Sequence, residues 1–277
     1  MSAEDLLKEG RLEEALTELQ NEIRKNPADS KRRVFLFQLL AVMGQWERSL
    51  NQLNVVTEMD DAAKLLGVMY RPALQAEALR SQIFAGNRSP VIFGQPEEWM
   101  VWVVQASQLQ GQGKMDEAAA LREKAFEAAP TTAGTINDQA FAWIADADSR
   151  LGPMFEAVIN GSPYWVPFMH VHSITVEEPT DLRDTVWAST TVQWTNGGEV
   201  FALIPVRYPG SESNEDGLIR LARKTDWTEA GEGMGQRIFA TDADDYPLLE
   251  VRSIVMDNEV EGGDAPGDAH SVGLTSG

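Results

Sequence analysis

Residues 10–16 read Gly-Arg-Leu-Glu-Glu-Ala-Leu, and residues 44–50, 34 positions later, read Gly-Gln-Trp-Glu-Arg-Ser-Leu. The pattern returns at residues 113–119 as Gly-Lys-Met-Asp-Glu-Ala-Ala, a further 69 positions along, close to twice 34. In the first and third copies a proline, Pro27 or Pro130, follows the opening glycine at the same offset. A glycine, an aliphatic or aromatic residue, a small residue and a proline at fixed offsets indicate a repeated pair of helices.

A period of about 34 residues is typical of tetratricopeptide-type helical hairpins. We therefore predict an all-helical repeat region over residues 1–150, with a degenerate interval between the second and third copies and a helical segment over 138–146 at its end. Hairpins of this kind stack into a curved surface that binds peptides or helices, and they rarely supply catalytic groups.

The residue composition and pattern of the sequence change after about residue 150. Runs of β-branched and aromatic residues alternate with turn sequences, and Asn196-Gly197-Gly198 between two such runs predicts a hairpin. Residues 151–256 are thus predicted to form a compact, β-rich and mainly antiparallel domain. Residues 257–277 are rich in glycine and acids, which predicts an acidic disordered tail. The predicted fold class is α+β.

The chain carries a net charge of −20 and no cysteine. Residues 1–150 hold 16 basic and 22 acidic residues (net −6), whereas residues 151–277 hold 7 and 21 (net −14). Such acidity disfavours nucleic acid and anionic lipid as partners. No secretory signal and no apolar run of about 18 residues is present, so neither export nor a membrane span is expected and the predicted location is the cytoplasm.

Few residues point to catalysis. His170 and His172 alternate along a predicted strand, and two histidines on one face are a possible start of a metal site, but no motif supplies a third ligand. Asp146, Asp148 and Arg150 cluster near the predicted domain boundary, where an Asp–Arg network that closes a helix end is the favoured interpretation. The acidic run Asp242, Asp244 and Asp245 is interpreted as a solvated turn. We expect no catalytic residue, no metal and no cofactor.

Several longer strings carry a family resemblance. Trp143-Ile-Ala-Asp-Ala-Asp-Ser-Arg-Leu-Gly-Pro153 and Ile204-Pro-Val-Arg-Tyr-Pro-Gly-Ser-Glu212 are similar to the ImpE/TagJ family. So are Tyr164-Trp-Val-Pro-Phe168, Pro179-Thr-Asp-Leu-Arg-Asp184, Ala222-Arg-Lys-Thr-Asp-Trp227 and Phe35-Leu-Phe-Gln-Leu-Leu-Ala-Val-Met-Gly-Gln-Trp46. The resemblance covers about residues 1–256.

The resemblance implies a non-enzymatic accessory protein of the bacterial type VI secretion system. Its expected partner is the N-terminal helix of the small contractile-sheath subunit, and the AAA+ disassembly ATPase is a second expected partner. An amphipathic helix laid in a helical-repeat groove is an established mode of recognition.

Helical phase selects candidate groove residues, because the first helix of each hairpin lines the concave side in this architecture. In the second repeat and the third repeat these are Lys31, Val34, Gln38, Ala41, Met100, Val103 and Ser107. The predicted rim anchors are Trp46, Tyr70 and Arg71. For the apolar members the competing interpretation is packing between hairpins.

Two other functions stay open at this stage. One is a metal-dependent hydrolase that uses the β-rich domain, with Asp146, Asp148 and the two strand histidines close together. The other is a chaperone-like adaptor that reads a C-terminal peptide with a basic clamp at Lys31, Arg32 and Arg33.

Overall fold

The computed structural model describes residues 1–258 of the chain. The first part of this range consists of α-helices joined by short turns. Their bounds are α1 Ala3–Lys8, α2 Leu12–Lys25, α3 Ser30–Val42, α4 Trp46–Met59, α5 Lys64–Phe84, α6 Glu98–Gly111 and α7 Met115–Ala128. The predicted tail lies outside the described residues from residue 259 onwards.

The three glycines of the repeated pattern lie at three inter-helix turns, between α1 and α2, α3 and α4, and α6 and α7. Gly10, Gly44 and Gly113 adopt φ angles of +76°, +66° and +78°. A left-handed residue that ends a helix is most readily a glycine, because a Cβ atom is strained there. The predicted helical hairpins are therefore confirmed at all three copies.

Helix α5 fills the degenerate interval as one helix of 21 residues with Pro72 inside it. A proline at this position lacks the N–H that would bond the carbonyl of Val68 one turn earlier.

The remainder of the described chain is mostly β-structure. Its strands are β1 Val91–Ile92, β2 Gly134–Ile136, β3 Gln139–Phe141, β4 Ile144–Asp146, β5 Met154–Ile159, β6 Ser162–Pro167, β7 Val171–Val176, β8 Trp187–Trp194, β9 Glu199–Pro205, β10 Thr225–Trp227, β11 Gly233–Gly235, β12 Ile238–Thr241, β13 Asp245–Pro247 and β14 Ser253–Met256. A short helix, α8 Gly217–Arg220, lies among them.

Nine of these strands form one sheet, in the order β1-β6-β5-β9-β8-β7-β14-β2-β3. All neighbours in it are antiparallel except β1 and β6. The predicted hairpin at Asn196 to Gly198 is confirmed, because it joins β8 to β9 in register from Trp187 opposite Pro205 to Gln193 opposite Glu199. The α+β fold class is likewise confirmed.

The predicted helix over residues 138–146 is wrong, because these residues contain β3 and β4. Asn137 and Asp138 have φ angles of +47° and +65°, which turns β2 back onto β3. The Asn137 side chain holds the turn, since its Oδ1 accepts from the Arg252 amide at 2.7 Å. The continuous run of strands therefore begins at Gly134, and the division of the chain at residue 150 stays a prediction.

Helices and sheet share a core. The largest buried cluster contains Phe37 and Leu40 of α3 together with Trp187 of β8 and Leu203 of β9. Arg207, which follows β9, donates through Nη1 to the Val42 carbonyl at 2.6 Å, so it satisfies a free carbonyl at the end of α3. Within residues 1–258, no helix is both long and apolar enough to cross a bilayer.

Candidate functional site

The predicted groove face of α3 is covered by the β-rich part of the chain. Gln38 and Ala41 are buried, with exposed fractions of 3% and 0%. The C-terminal half of α3 packs against the segment that leads into β8, and Arg207 contacts its last carbonyls. A partner reaches side chains with so little exposed surface only if the neighbouring elements move away.

Tyr70 is also buried, and its contacts are internal. Its hydroxyl accepts from Arg183 Nε at 3.0 Å, and its ring lies 5.8 Å from the ring of Trp187. The neighbouring Arg71 is partly exposed and donates through Nε and Nη2 to Asn54 on α4. These two predicted rim residues therefore hold α5 against α4 and the sheet.

The α6 candidates belong to a second core. Met100, Val103 and Ser107 are all buried. Met100 and Val103 share a cluster with Met154 of β5 and Trp165 of β6, so this face of α6 rests on the sheet.

Besides Arg71, three candidates keep some exposed surface, and they do not form one site. Lys31 is exposed, and Val34 is partly buried against the first core. Trp46 lines a cleft of about 230 Å³ between α5 and the Pro209 to Glu212 segment, where Glu77, Arg80 and Phe84 also line it. The ten predicted contact residues thus divide between buried packing positions and separate surface positions.

Buried charges connect α5 to the sheet. Glu156 of β5 accepts from Arg80 of α5 through two bonds of 2.8 Å, and from Arg237 Nη2 at 2.5 Å. Burial opposes ionisation of Glu156, but the two guanidinium groups outweigh it and hold the pKa of this carboxyl below its ordinary range. Arg80 also pairs with Glu77 at 3.4 Å. This network fixes the helical part on the sheet.

Within the Asp146 to Arg150 cluster, Asp148 pairs with Arg150, whereas the partner of Asp146 is an arginine that the prediction did not include. Asp146 pairs with Arg237, and Asp148 accepts from Arg150 Nε at 2.9 Å. Burial raises the pKa of Asp146 to about 7, against the attraction of Arg237. Because strands flank this cluster on both sides, the network closes strand ends and not the end of a helix.

The two histidines do not lie on one strand as predicted. His170 is in a 3-10 turn before β7, where its Nδ1 lies 3.0 Å from the Phe93 carbonyl oxygen. His172 is on β7, and its Nδ1 lies 3.2 Å from the carbonyl oxygen of Asn258. Among residues 1–258, no three His, Cys, Asp or Glu side chains group as a metal-binding set.

An apolar groove lies between α5 and strand β9 and has a volume of about 440 Å³. The side chains that line it are mostly aliphatic or aromatic, namely Val68, Met69, Pro72, Val158, Asn160, Gly161, Val200, Phe201 and Leu203. The turn between β5 and β6 closes one side, since a Cβ atom on Gly161 would come within 2.6 Å of Pro72.

The α5 side of this groove is unusually exposed for its apolar character. Val68, which lines the groove, exposes 69% of its surface, and Phe201 across the groove exposes 45%. Leu65, one turn before Val68 on α5, exposes 66%. Leu65, Val68, Met69 and Pro72 follow the spacing i, i+3, i+4, i+7, which places them along one face of the helix. Met69 and Pro72 are partly buried, so the exposed apolar surface of this face lies at Leu65 and Val68 and is a candidate interaction surface. The same spacing is visible in the sequence, but only the fold shows that, among residues 1–258, Leu65 and Val68 stay largely exposed.

Comparison with known proteins agrees with the resemblance. The sequence is 47% identical over 254 residues to the type VI secretion system accessory component TagJ of Pseudomonas aeruginosa, a match that covers 92% of this chain and 90% of that relative. The ImpE protein family matches residues 138–255. The chain belongs to the ImpE/TagJ family of type VI secretion accessory components.

The fold of this ImpE/TagJ protein recurs in a solved structure. A Vibrio parahaemolyticus protein known from X-ray crystallography superposes with a TM-score of 0.83, covering 93% of this chain and 98% of its own. The two sequences are only 22% identical, so the likeness concerns the fold alone. The family match falls on the β-rich part, which identifies the sheet as part of the family fold and not as an addition to the repeats.

Proposed function

We propose that this ImpE/TagJ protein is a non-enzymatic adaptor of the type VI secretion system. In this proposal it binds the N-terminal helix of the small contractile-sheath subunit in the groove between α5 and β9, and it links the sheath to the AAA+ disassembly ATPase. The accessory role follows from the family, and the apolar α5 face of Leu65, Val68, Met69 and Pro72, which is exposed at Leu65 and Val68, supports the choice of surface.

The dimensions of the groove suit the apolar face of a helix. From Leu65 to Pro72 the stripe rises about 10 Å along α5, or about two helical turns. A bound helix that presents apolar anchors at i, i+3, i+4 and i+7 would match this length.

The internal contacts of the acidic cluster support a non-enzymatic role. Asp146, Asp148 and Glu156 each accept from an arginine and are buried, so none is free to bind a metal or to transfer a proton to a substrate. The hydrolase alternative relied on these aspartates and on a histidine pair that the fold places in separate environments.

Titration calorimetry tests the surface, with a synthetic peptide of the sheath subunit's first helix as ligand. Val68→Glu places a charge in the groove and should weaken binding at least tenfold, because about 1–2 kcal/mol of apolar burial is lost and a carboxylate is desolvated. Val101→Glu is the matched control, since Val101 on α6 is 40% exposed and does not line the groove. Equal affinity of both variants for the peptide would place the site elsewhere.

A separate experiment tests the link to the ATPase. Purified ATPase immobilised on resin should retain the small sheath subunit in larger amounts when this protein is added, and Val68→Glu should abolish the increase. Retention that is independent of this protein would refute the linking role but not the binding of the sheath helix.

A further inference from the structure

A second groove lies on the helical part, between α2, α3 and α4, and has a volume of about 340 Å³. Its floor is apolar and consists of Ile23, Leu36 and Leu40, of which Ile23 and Leu36 are 8% and 6% exposed. It shares no lining residue with the groove between α5 and β9.

Three arginines surround this floor. Arg24 comes from the end of α2, Arg33 from α3 and Arg48 from α4. Two of them donate hydrogen bonds to neutral acceptors. Arg33 donates to the Pro27 carbonyl at 2.9 Å and to Gln52 Oε1 at 3.4 Å, and Arg48 donates to the side chain of Gln45. Among the residues that the structure describes, none of the three forms an ion pair.

The adjacent Arg32 shows the contrast. Its guanidinium group pairs with Glu22 of α2 at 2.7 Å and with Asp29 in the turn before α3, so both of these nearby carboxylates are already paired. In a chain with 43 acidic and 23 basic residues, an arginine has many potential partners, so three that converge unpaired on one apolar floor are unusual. Solvation by water explains a single surface arginine without a carboxylate partner. It does not explain why three such arginines lie around the buried side chains of Ile23, Leu36 and Leu40.

We propose that this arginine-rimmed groove binds an acidic amphipathic segment of a partner protein, at a site distinct from the sheath-helix groove. Apolar side chains of the segment would contact Ile23, Leu36 and Leu40. Its carboxylates would accept charge-assisted hydrogen bonds from the three guanidinium groups. Nucleic acid fits less well, because a chain of net charge −20 repels a polyanion.

The probe is a designed helical peptide about four turns long, with leucines at i, i+3, i+4 and i+7 and glutamates beside them. The matched control peptide carries glutamine in place of each glutamate. Fluorescence anisotropy with the full-length protein should show saturable binding of the glutamate peptide that weakens with added salt. The triple variant Arg24→Gln, Arg33→Gln, Arg48→Gln should weaken it roughly 10- to 100-fold. Arg88→Gln, in the exposed loop after α5, should leave it unchanged.

Several outcomes would overturn the proposal. Equal binding of the two peptides, or equal binding by the wild type and the triple variant, would exclude recognition of carboxylates by this groove. Tighter binding of a labelled oligonucleotide single strand than of the peptide, lost in the triple variant, would assign the groove to nucleic acid. Self-association that the triple variant abolishes would make a second copy of the chain the occupant. Unchanged thermal unfolding of the triple variant verifies that its fold is intact.

Discussion

Glu156 joins the helical and β-rich parts of the chain, and its replacement by glutamine is expected to destabilise the fold strongly. The carboxylate accepts two bonds of 2.8 Å from Arg80 and one of 2.5 Å from Arg237, and its side chain is 5% exposed. The amide of Glu156→Gln has the same shape, but one of its two positions becomes a donor that faces guanidinium N–H groups.

Removing one partner of a buried charge network costs about 3–5 kcal/mol, because the remaining charges lose their compensation. For a chain of this size, about 1 kcal/mol shifts the melting temperature by roughly 2–4 °C, so a decrease of about 6–20 °C is expected. Thermal and urea unfolding at pH 7.5, followed by circular dichroism, measure it. Glu250→Gln is the control, since Glu250 is exposed and should change stability by less than about 0.5 kcal/mol. A loss below about 1 kcal/mol in Glu156→Gln would refute the reasoning.

Two further predictions concern buried polar groups. In the folded protein the pKa of Asp146 is raised to about 7, whereas the unfolded chain loses this proton near pH 4. Between about pH 4 and pH 7 the folded state therefore binds more protons, so this group makes the free energy of unfolding fall as the pH rises. Asp146→Asn should remove this component, which urea unfolding at pH 5 and pH 8 would detect as a smaller loss than in the wild type; identical losses would contradict the assignment. Arg207→Met should cost at least about 3 kcal/mol, because the carbonyls of Ala41, Val42 and Arg220 lose their donors in a buried setting. Unfolding within about 1 kcal/mol of the wild type would show that other donors replace them.

The repeat region could be predicted from the sequence because its signals are local. A glycine that ends a helix, as at Gly10 and Gly44, is required by the left-handed backbone there. The spacing between copies follows from the length of one hairpin. The hairpin between β8 and β9 was predictable for the same reason, since Asn196-Gly197-Gly198 encodes its turn.

The β2–β3 hairpin was missed because its turn lacks glycine. Asn137 and Asp138 adopt positive φ angles, which short polar side chains tolerate but do not require. The following residues, with Phe141 and Ile144 three positions apart, then fit a helix as well as two short strands. Pairing with β14 and β12 decides between them, and those strands lie far away in the sequence.

Helical phase alone does not lead to the proposed binding surface, because phase does not reveal what covers a helix face. Gln38 and Ala41 have the predicted phase, yet Arg207 and the segment before β8 cover them. Leu65 and Val68 have an ordinary core spacing, yet within the described part of the chain both stay largely exposed. Which of two apolar faces stays open depends on long-range packing of sheet on helix.

Photocrosslinking from position 68 tests the central claim most directly. The protein with p-benzoylphenylalanine in place of Val68 is illuminated together with the small sheath subunit, and the crosslinked peptides are identified by mass spectrometry. We predict crosslinks to the N-terminal helix of the sheath subunit, none of which appear when the same group replaces Val101 on α6. Crosslinks from position 101 but not from position 68, or crosslinks from neither position while the two proteins still form a complex, would contradict the proposed groove.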